Sequence, residues 1–277
     1  MEVVVNIKRN LKSNQTIERR IRKLLRPFFW LRMQKEFAIV WLRKSEILYE
    51  SKYVGTLKNS HKGEKCFIVA TGPSLTIEDL NKISESNIFS FGMNSCVLVL
   101  DKTKWVPDIL GIQDEYVYKN VEVKLIEESK GKLANRVIVS NTIRSLFKSA
   151  KQYNEFFLHY LDHKYDRERT GRIMFSEECS DVVYDGYSIL FSLMQIAVYM
   201  GFKEIYLLGT DCNYKQEKQH FVETGHFDPY AMNAGERLIY VHSKFKEFAD
   251  LHGVKVFNCT RGGMLEVYPR VSLEEVL

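Results

Sequence analysis

The chain has 277 residues, 45% hydrophobic and 13% aromatic, enough to bury the core of one large domain with an appendage. Its five cysteines (Cys66, Cys96, Cys179, Cys212, Cys259) are scattered without a Cys-x-x-Cys pair, which disfavours a zinc or redox centre and fits a reducing, cytoplasmic setting. The net charge of +5 is uneven: residues 1–50 hold twelve basic and five acidic side chains, a net +7, so the rest sums to −2 and does not read as a nucleic-acid binder.

In chain order, residues 1–60 come first. Met1 to Asn6 opens no apolar h-region with a cleavage site, and the apolar run Phe37 to Leu42 is far too short to cross a bilayer, so the sequence predicts neither secretion nor a membrane span. Ile17, Ile21, Leu24, Leu25, Phe28, Phe29, Trp30 and Leu31 recur at helical spacing around Pro27, among many basic residues. This reads as basic amphipathic helices. Residues 8–44 would then make peripheral contact with an anionic membrane at the inner face, or pack on the body or another subunit.

Residues 61–277 alternate strand and helix, the pattern of an α/β, Rossmann-like, mainly parallel sheet with helices on both faces. Strands are expected at Cys66 to Ala70, Ile88 to Met93, Ile109 to Gln113, Arg136 to Ser140, Ile205 to Thr210 and Val254 to Cys259. Helices are expected at Ile77 to Ser84, Asn141 to Lys148, Gly186 to Met200 and Ala231 to Leu251. Residues 150–180, where Tyr153 to Cys179 show no clean period, and 212–232 are read as irregular insertions or lids.

Ligands of such sheets sit beyond the carboxyl ends of the strands, where this chain is small and polar. Thr71, Gly72 and Ser74 follow the first strand, Asn94 and Ser95 the second, Asp114 the third, Asn141 the fourth, Gly209, Thr210 and Asp211 the fifth, and Thr260 the last. Gly72 would allow close approach of a ligand, Pro73 suits a first helical turn, and Ser74 would offer hydroxyl and amide to a phosphate. Each residue alone could simply cap a helix or turn; their recurrence predicts that Gly72, Asn94, Asp114 and Asp211 share one cavity. The loop has neither repeated glycines nor a Walker lysine. His159 and His163 have the helical spacing of a metal pair without an adjacent glutamate, and aromatic packing is the simpler reading. No Gly-x-Ser-x-Gly or Asp-x-Asp motif occurs.

Asp185-Gly186-Tyr187-Ser188, with Ala197 to Asp211, resembles the central helix and strand of bacterial sialyltransferases of glycosyltransferase family 42. Ala70-Thr71-Gly72-Pro73-Ser74-Leu75 resembles that family's first loop, and Asn94 falls near the spacing of its next asparagine. The strand Asp108 to Asp114, Val254 to Thr260 and Arg261-Gly262-Gly263 resemble equally the related superfamily of 6-hydroxymethylpterin diphosphokinases and flagellin-modifying glycosyltransferases. The likeness covers roughly residues 65–265.

The resemblance implies an inverting sugar transfer from a CMP-linked nonulosonic donor to a glycan or lipid-linked glycan acceptor, with no required cofactor or metal. By position, Thr71, Gly72, Pro73 and Ser74 would approach the phosphate or sugar, and Asn94 and Asp114 the cytidine or sugar. Asp185, Gly186 and Ser188 would stand at the helix start, and Gly209 and Thr210 would lead into Asp211 after the strand. The implied base is His226, in the loop Thr224 to Tyr230, with His220 and His242 as the other candidates; Asn213 and Tyr214 stand where the first assisting tyrosine is expected. Thr71 replaces the family's asparagine and Asp185 its serine, which leaves the donor open. The main alternative is an ATP- and magnesium-dependent diphosphokinase using Asp114 and Asp211; a non-catalytic scaffold is the third reading, and a homo-oligomer is compatible with all three.

Overall fold

The structure, a computed structural model, describes residues 51–159, 173–213, 221–222 and 234–277, with positions 31, 34, 35 and 37–45 of the N-terminal segment. The chain divides into two units, Met1–Tyr49 and Glu50–Leu277. In the first, residues 37–44 are helical, with Phe37 and Trp41 one turn apart and 46% and 63% exposed. No helix among the described residues is long and apolar enough to cross a membrane.

The second unit begins with α1 (Lys52–Thr56) and continues through β1 (Lys65–Val69), α2 (Ile77–Glu85), β2 (Phe89–Met93), β3 (Ile109–Ile112), α3 (Glu115–Ser129), β4 (Val137–Ser140), α4 (Asn141–Leu146) and β5 (Asn154–Phe156). After β6 (Leu158–His159) and β7 (Val183–Tyr184) come α5 (Ile189–Tyr199), β8 (Glu204–Leu208), α6 (Ala234–Leu251), β9 (Lys255–Asn258) and α7 (Leu273–Val276). Seven strands form a parallel sheet in the order β5-β4-β3-β2-β1-β8-β9, and β6 and β7 form a separate parallel pair.

Parallel strands covered on both faces need apolar residues at every position rather than at alternate ones. In β1, Cys66 and Ile68 join one core while Phe67 and Val69 join the other. The first core holds α5, whose run Ile-Leu-Phe-Ser-Leu-Met-Gln-Ile-Ala-Val-Tyr is buried almost all round. A Cβ on Gly111 of β3 would lie 2.8 Å from Leu193 Cδ2, so that glycine lets α5 seat closely on the sheet. Gln195, fully buried in the same helix, donates to the carbonyls of Tyr184 (2.8 Å) and Phe191 (2.9 Å) and accepts from the amides of Ser176 and Tyr184. One side chain thus ties β7 and the chain before it to the central helix.

All six expected strands form. The helix expected from Gly186 begins at Ile189, because Asp185 to Ser188 make a turn with Tyr187 in the left-handed region (φ 71°). The helix α3 was not anticipated: its apolar residues do not keep to one face, and Val123 is 83% exposed. Within the stretch read as irregular, Asn154–Phe156 is an edge strand of the main sheet, three residues long and too short to show a period. His159 lies in β6 with its ring 5.6 Å from that of Tyr184, so the helical spacing to His163 does not apply; His163 itself is outside the described residues. All five cysteines are free and buried, and burial pushes the thiols of Cys96, Cys212 and Cys259 up to about 12.

Candidate active site

Strand order reverses at β1: β2 to β5 extend to one side, β8 and β9 to the other. Chains leaving β1 and β8 at their carboxyl ends diverge to opposite faces and leave a crevice between them. A narrow cleft of about 40 Å³ lies there. Ala70, Thr71, Gly72 and Pro73 line it from β1, and Gly209, Thr210, Asp211, Cys212 and Asn213 from β8. Met93 adds the end of β2, Ser188 and Leu190 the start of α5, and Leu238 and His242 one face of α6.

What approaches Gly72 is the neighbouring loop. A Cβ there would fall 2.0 Å from Asp211 Oδ2 and 2.4 Å from the Gly209 carbonyl, and Gly209 itself has φ 68°. The Gly72 amide donates to the Gly209 carbonyl (2.8 Å), and the Ser74 hydroxyl donates to Asp211 Oδ2 (2.8 Å). Burial raises the pKa of Asp211, an effect the Ser74 hydroxyl and amide partly offset. The expected phosphate seat at Ser74 is therefore occupied by a carboxylate of the protein.

The start of α2 is filled likewise. Thr76 and Asp79 form a reciprocal capping box, Thr76 Oγ1 accepting from the Asp79 amide and Asp79 Oδ2 from the Thr76 amide. Arg261, on the loop after β9, donates to Asp79 Oδ1 (2.7 Å) and Oδ2 (2.5 Å) and to the Ser74 carbonyl (3.1 Å). Asp79 is 2% exposed; burial alone would raise its pKa, but the bonds from Arg261 and Thr76 hold it below the ordinary value. The first loop is thus fastened from the β8 side by Asp211 and from the β9 side by Arg261. Phe221 adds a third tie, its amide donating to the Thr71 carbonyl (2.7 Å).

Asp185, Gly186 and Ser188 build the turn before α5. Asp185 is 1% exposed, and its Oδ1 accepts from the Tyr187 amide (2.8 Å) and from Gln113 Nε2 (3.3 Å), while Ser192 Oγ donates to Gln113 Oε1 (2.8 Å). This buried relay joins the end of β3 to the turn. A Cβ on Gly186 would stand 2.7 Å from the Phe191 side chain, and Ser188 Oγ accepts from the Leu190 amide (3.3 Å). Of this trio only Ser188 reaches the cleft.

Of the four residues expected around one cavity, Gly72 and Asp211 line it together. Asn94 follows the lining residue Met93; it has φ 51°, and its buried Oδ1 has no partner. Asp114 is a correction: it is exposed, and Oδ1 accepts from the Tyr116 and Val117 amides (2.9 and 3.0 Å), so its carboxylate caps α3 outside the cleft lining. Tyr214, His220 and His226 lie outside the described residues.

His242 stands apart among the lining side chains. It is fully buried, burial pushes its pKa down to about 3, and the ring is therefore neutral. The Tyr268 hydroxyl donates its proton to the His242 carbonyl (3.0 Å), so the contact of Nδ1 with the Tyr268 hydroxyl oxygen (3.1 Å) requires Nδ1 to carry a proton. Nε2 is left as a bare acceptor, buried and without a partner among the described residues, and the Thr210 hydroxyl in the same lining is buried without one as well. A buried polar atom without a partner is costly, and the described residues of this lining hold two. Leu238 was legible only as part of an expected helix, whereas His242, one turn on, stood among the candidate bases; Arg261 was singled out only within the likeness of Arg261-Gly262-Gly263.

A family model described as 6-hydroxymethylpterin diphosphokinase MptE-like matches residues 42–217. No curated protein matches the chain in sequence. Among solved structures, the MAf glycosyltransferase from Magnetospirillum magneticum AMB-1 is similar at 17% identity and a TM-score of 0.49, over 82% of this chain and 39% of that one. The sialyltransferase CstII from Campylobacter jejuni, in complex with a substrate analogue, cytidine-5'-monophosphate, is similar at 13% identity and 0.46, over 76% and 86%. This chain thus spans well under half the length of the former, and likenesses of this size assign no function.

Proposed function

Because the chain belongs to the MptE-like family, we propose that it is a transferase that holds a nucleotide-activated donor in the crevice between β1 and β8. In the finer reading it is a glycosyltransferase that moves a nonulosonic sugar from a CMP-linked donor to a surface-glycan acceptor. The observation that carries the proposal is the cleft at the point where strand order reverses, with two unsatisfied polar atoms in its wall. The finer reading rests on the sequence likeness of the loops Ala70 to Leu75 and Asp185 to Asp211 to family 42.

In such a reaction the bond from the sugar's anomeric carbon to the phosphate oxygen breaks, and a bond to the acceptor oxygen forms on the opposite face. The acceptor hydroxyl gives up its proton to a base, and the CMP phosphate leaves as an anion. His226 is the proposed base, with His220 as the alternative, and Tyr214 would meet the leaving phosphate. Asp211, pinned by Ser74, would border the donor sugar beside Thr71, Gly72 and Thr210. The acceptor would be a lipid-linked glycan, reached while residues 8–44 rest on an anionic leaflet.

The family's description favours a second reading, the ATP-dependent diphosphokinase. Asp114 and Asp211 do not fit as its magnesium pair, since Asp114 caps α3 and only Asp211 lines the cleft, and no three His, Cys, Asp or Glu side chains converge among the described residues. Thermal-shift measurements with CMP, CDP, UDP, GDP and ATP, with and without magnesium, separate the readings. Stabilisation by CMP without magnesium is expected; stabilisation by ATP with magnesium alone would replace the glycosyltransferase with the diphosphokinase.

A further inference from the structure

The cleft's described lining includes one acid, Asp211, and one imidazole, which burial keeps neutral; it holds no lysine or arginine. A nucleotide brings at least one phosphate, which proteins meet with cations, free amides or open helix starts. The helix starts beside the cleft are already capped by side chains, α2 by Thr76 with Asp79 and α5 by Ser188. Among the described residues, the needed cation has to come from just outside this lining.

Arg237 meets that requirement. It precedes the lining residue Leu238 on α6, and its guanidinium carbon lies 4.7 Å from the ring centroid of Tyr187, which precedes the lining residue Ser188. Both members of the stack are thus chain neighbours of the cleft wall. Arg237 is half-buried, makes no ion pair among the described residues, and its Nε is shut off from solvent with no acceptor. A desolvated donor on a permanent cation is costly unless an acceptor arrives.

The plate beneath it is also bought at some expense of backbone strain. A bulky residue at φ 71° is an outlier, and Tyr187 is kept there by the hydrogen bond its backbone N–H donates to buried Asp185 Oδ1. The turn places an aromatic face against the guanidinium, which would orient its fork of donors for a planar or tetrahedral anion.

We propose that Arg237, stacked on Tyr187, is the phosphate-binding residue of this cleft. The inference rests on the nucleotide reading above and deepens it by naming the residue that takes the donor's phosphate; the sugar's carboxylate is the other anion the same fork would suit.

The test uses the full chain and isothermal titration with cytidine, CMP, inorganic pyrophosphate and N-acetylneuraminate. Wild type is expected to prefer CMP to cytidine and to bind pyrophosphate. Arg237→Gln should cut the CMP-to-cytidine preference roughly tenfold to a hundredfold while leaving cytidine affinity alone. Arg237→Lys should fall between, because it keeps the charge and loses the fork. Tyr187→Leu should weaken CMP with little effect on cytidine. Loss of N-acetylneuraminate binding with an intact CMP preference in Arg237→Gln would move the site to the carboxylate and overturn the phosphate assignment. Unchanged CMP preference and pyrophosphate affinity in a folded Arg237→Gln, checked by an unaltered melting curve, would overturn the inference and leave the nucleotide reading standing. Arg237-dependent pyrophosphate binding without binding of any nucleotide would keep the anion site and sink the nucleotide reading. Wild type that binds none of the four ligands would overturn both.

Discussion

His242 is the residue whose surroundings have the most measurable consequence. Folded, its imidazole stays neutral down to about pH 3; unfolded, it takes a proton near its ordinary value of 6.5. Between those values the unfolded chain binds the extra proton, so stability from this group is whole above about pH 6.5 and drains as pH falls towards 3. The loss is on the order of a few kcal/mol. Urea midpoints measured from pH 7 to pH 4 should decline in wild type and decline less steeply in His242→Gln; equal slopes would mean the ring is not held neutral. Asp211 makes a second residue-scale prediction. Asp211→Ala removes the acceptor of the Ser74 hydroxyl altogether, and a destabilisation of roughly 1–2 kcal/mol is expected in denaturant melts. The small polar residues of the cleft were visible in the sequence because they follow strands, as Thr71, Gly72 and Asp211 do. The roles of Ser74 and Asp114 were not, since a hydroxyl or carboxylate that caps or clamps has the same local pattern as one that binds.

Three loops meet at the cleft and fit each other before any ligand is considered. The close contact of Gly72 with Asp211 and Gly209 makes the first of these dependent on the absence of one methyl group. Gly72→Ala should force the β1 and β8 loops apart, lower stability by about 1–3 kcal/mol and abolish nucleotide-dependent thermal shifts. A Gly72→Ala protein that melts as wild type would show that the loops yield freely. Arg261→Ala strips the partner from a carboxylate that is 2% exposed and should cost roughly 1–3 kcal/mol in denaturant melts, while Arg261→Lys should recover part of it. Elements with a strong apolar run, such as β1 and α5, were legible because a parallel sheet buries both faces. The helix α3 was hidden by its spread of apolar residues, and β5 by its brevity. The Gln113, Asp185 and Ser192 relay joins residues 72 and 79 positions apart, a pairing no local pattern encodes.

For the whole molecule, the excess positive charge of residues 1–50 and the exposed Phe37 and Trp41 belong to one unit and invite one measurement. Full-length protein should cosediment with vesicles containing phosphatidylserine and not with neutral ones, and Phe37→Ser with Trp41→Ser should reduce that binding roughly tenfold or more. Equal recovery with neutral and anionic vesicles would remove the membrane from the picture and leave packing on another subunit. Charge and periodicity put the boundary of the basic leading segment at residue 60, whereas the two units divide at Tyr49 and Glu50, and the packing of the first loop against the β8 and β9 loops could be read from neither. The buried sulfurs have a practical outcome of their own. Thiols shielded from solvent and held protonated at neutral pH resist electrophilic labels, so each one that reacts counts a molecule that has opened. Cys212 forms part of the cleft wall, and a bound nucleotide should slow its alkylation more than that of Cys66 or Cys179. A mass spectrum of the partly labelled chain would then report occupancy of the cleft cysteine by cysteine, without a substrate having been identified.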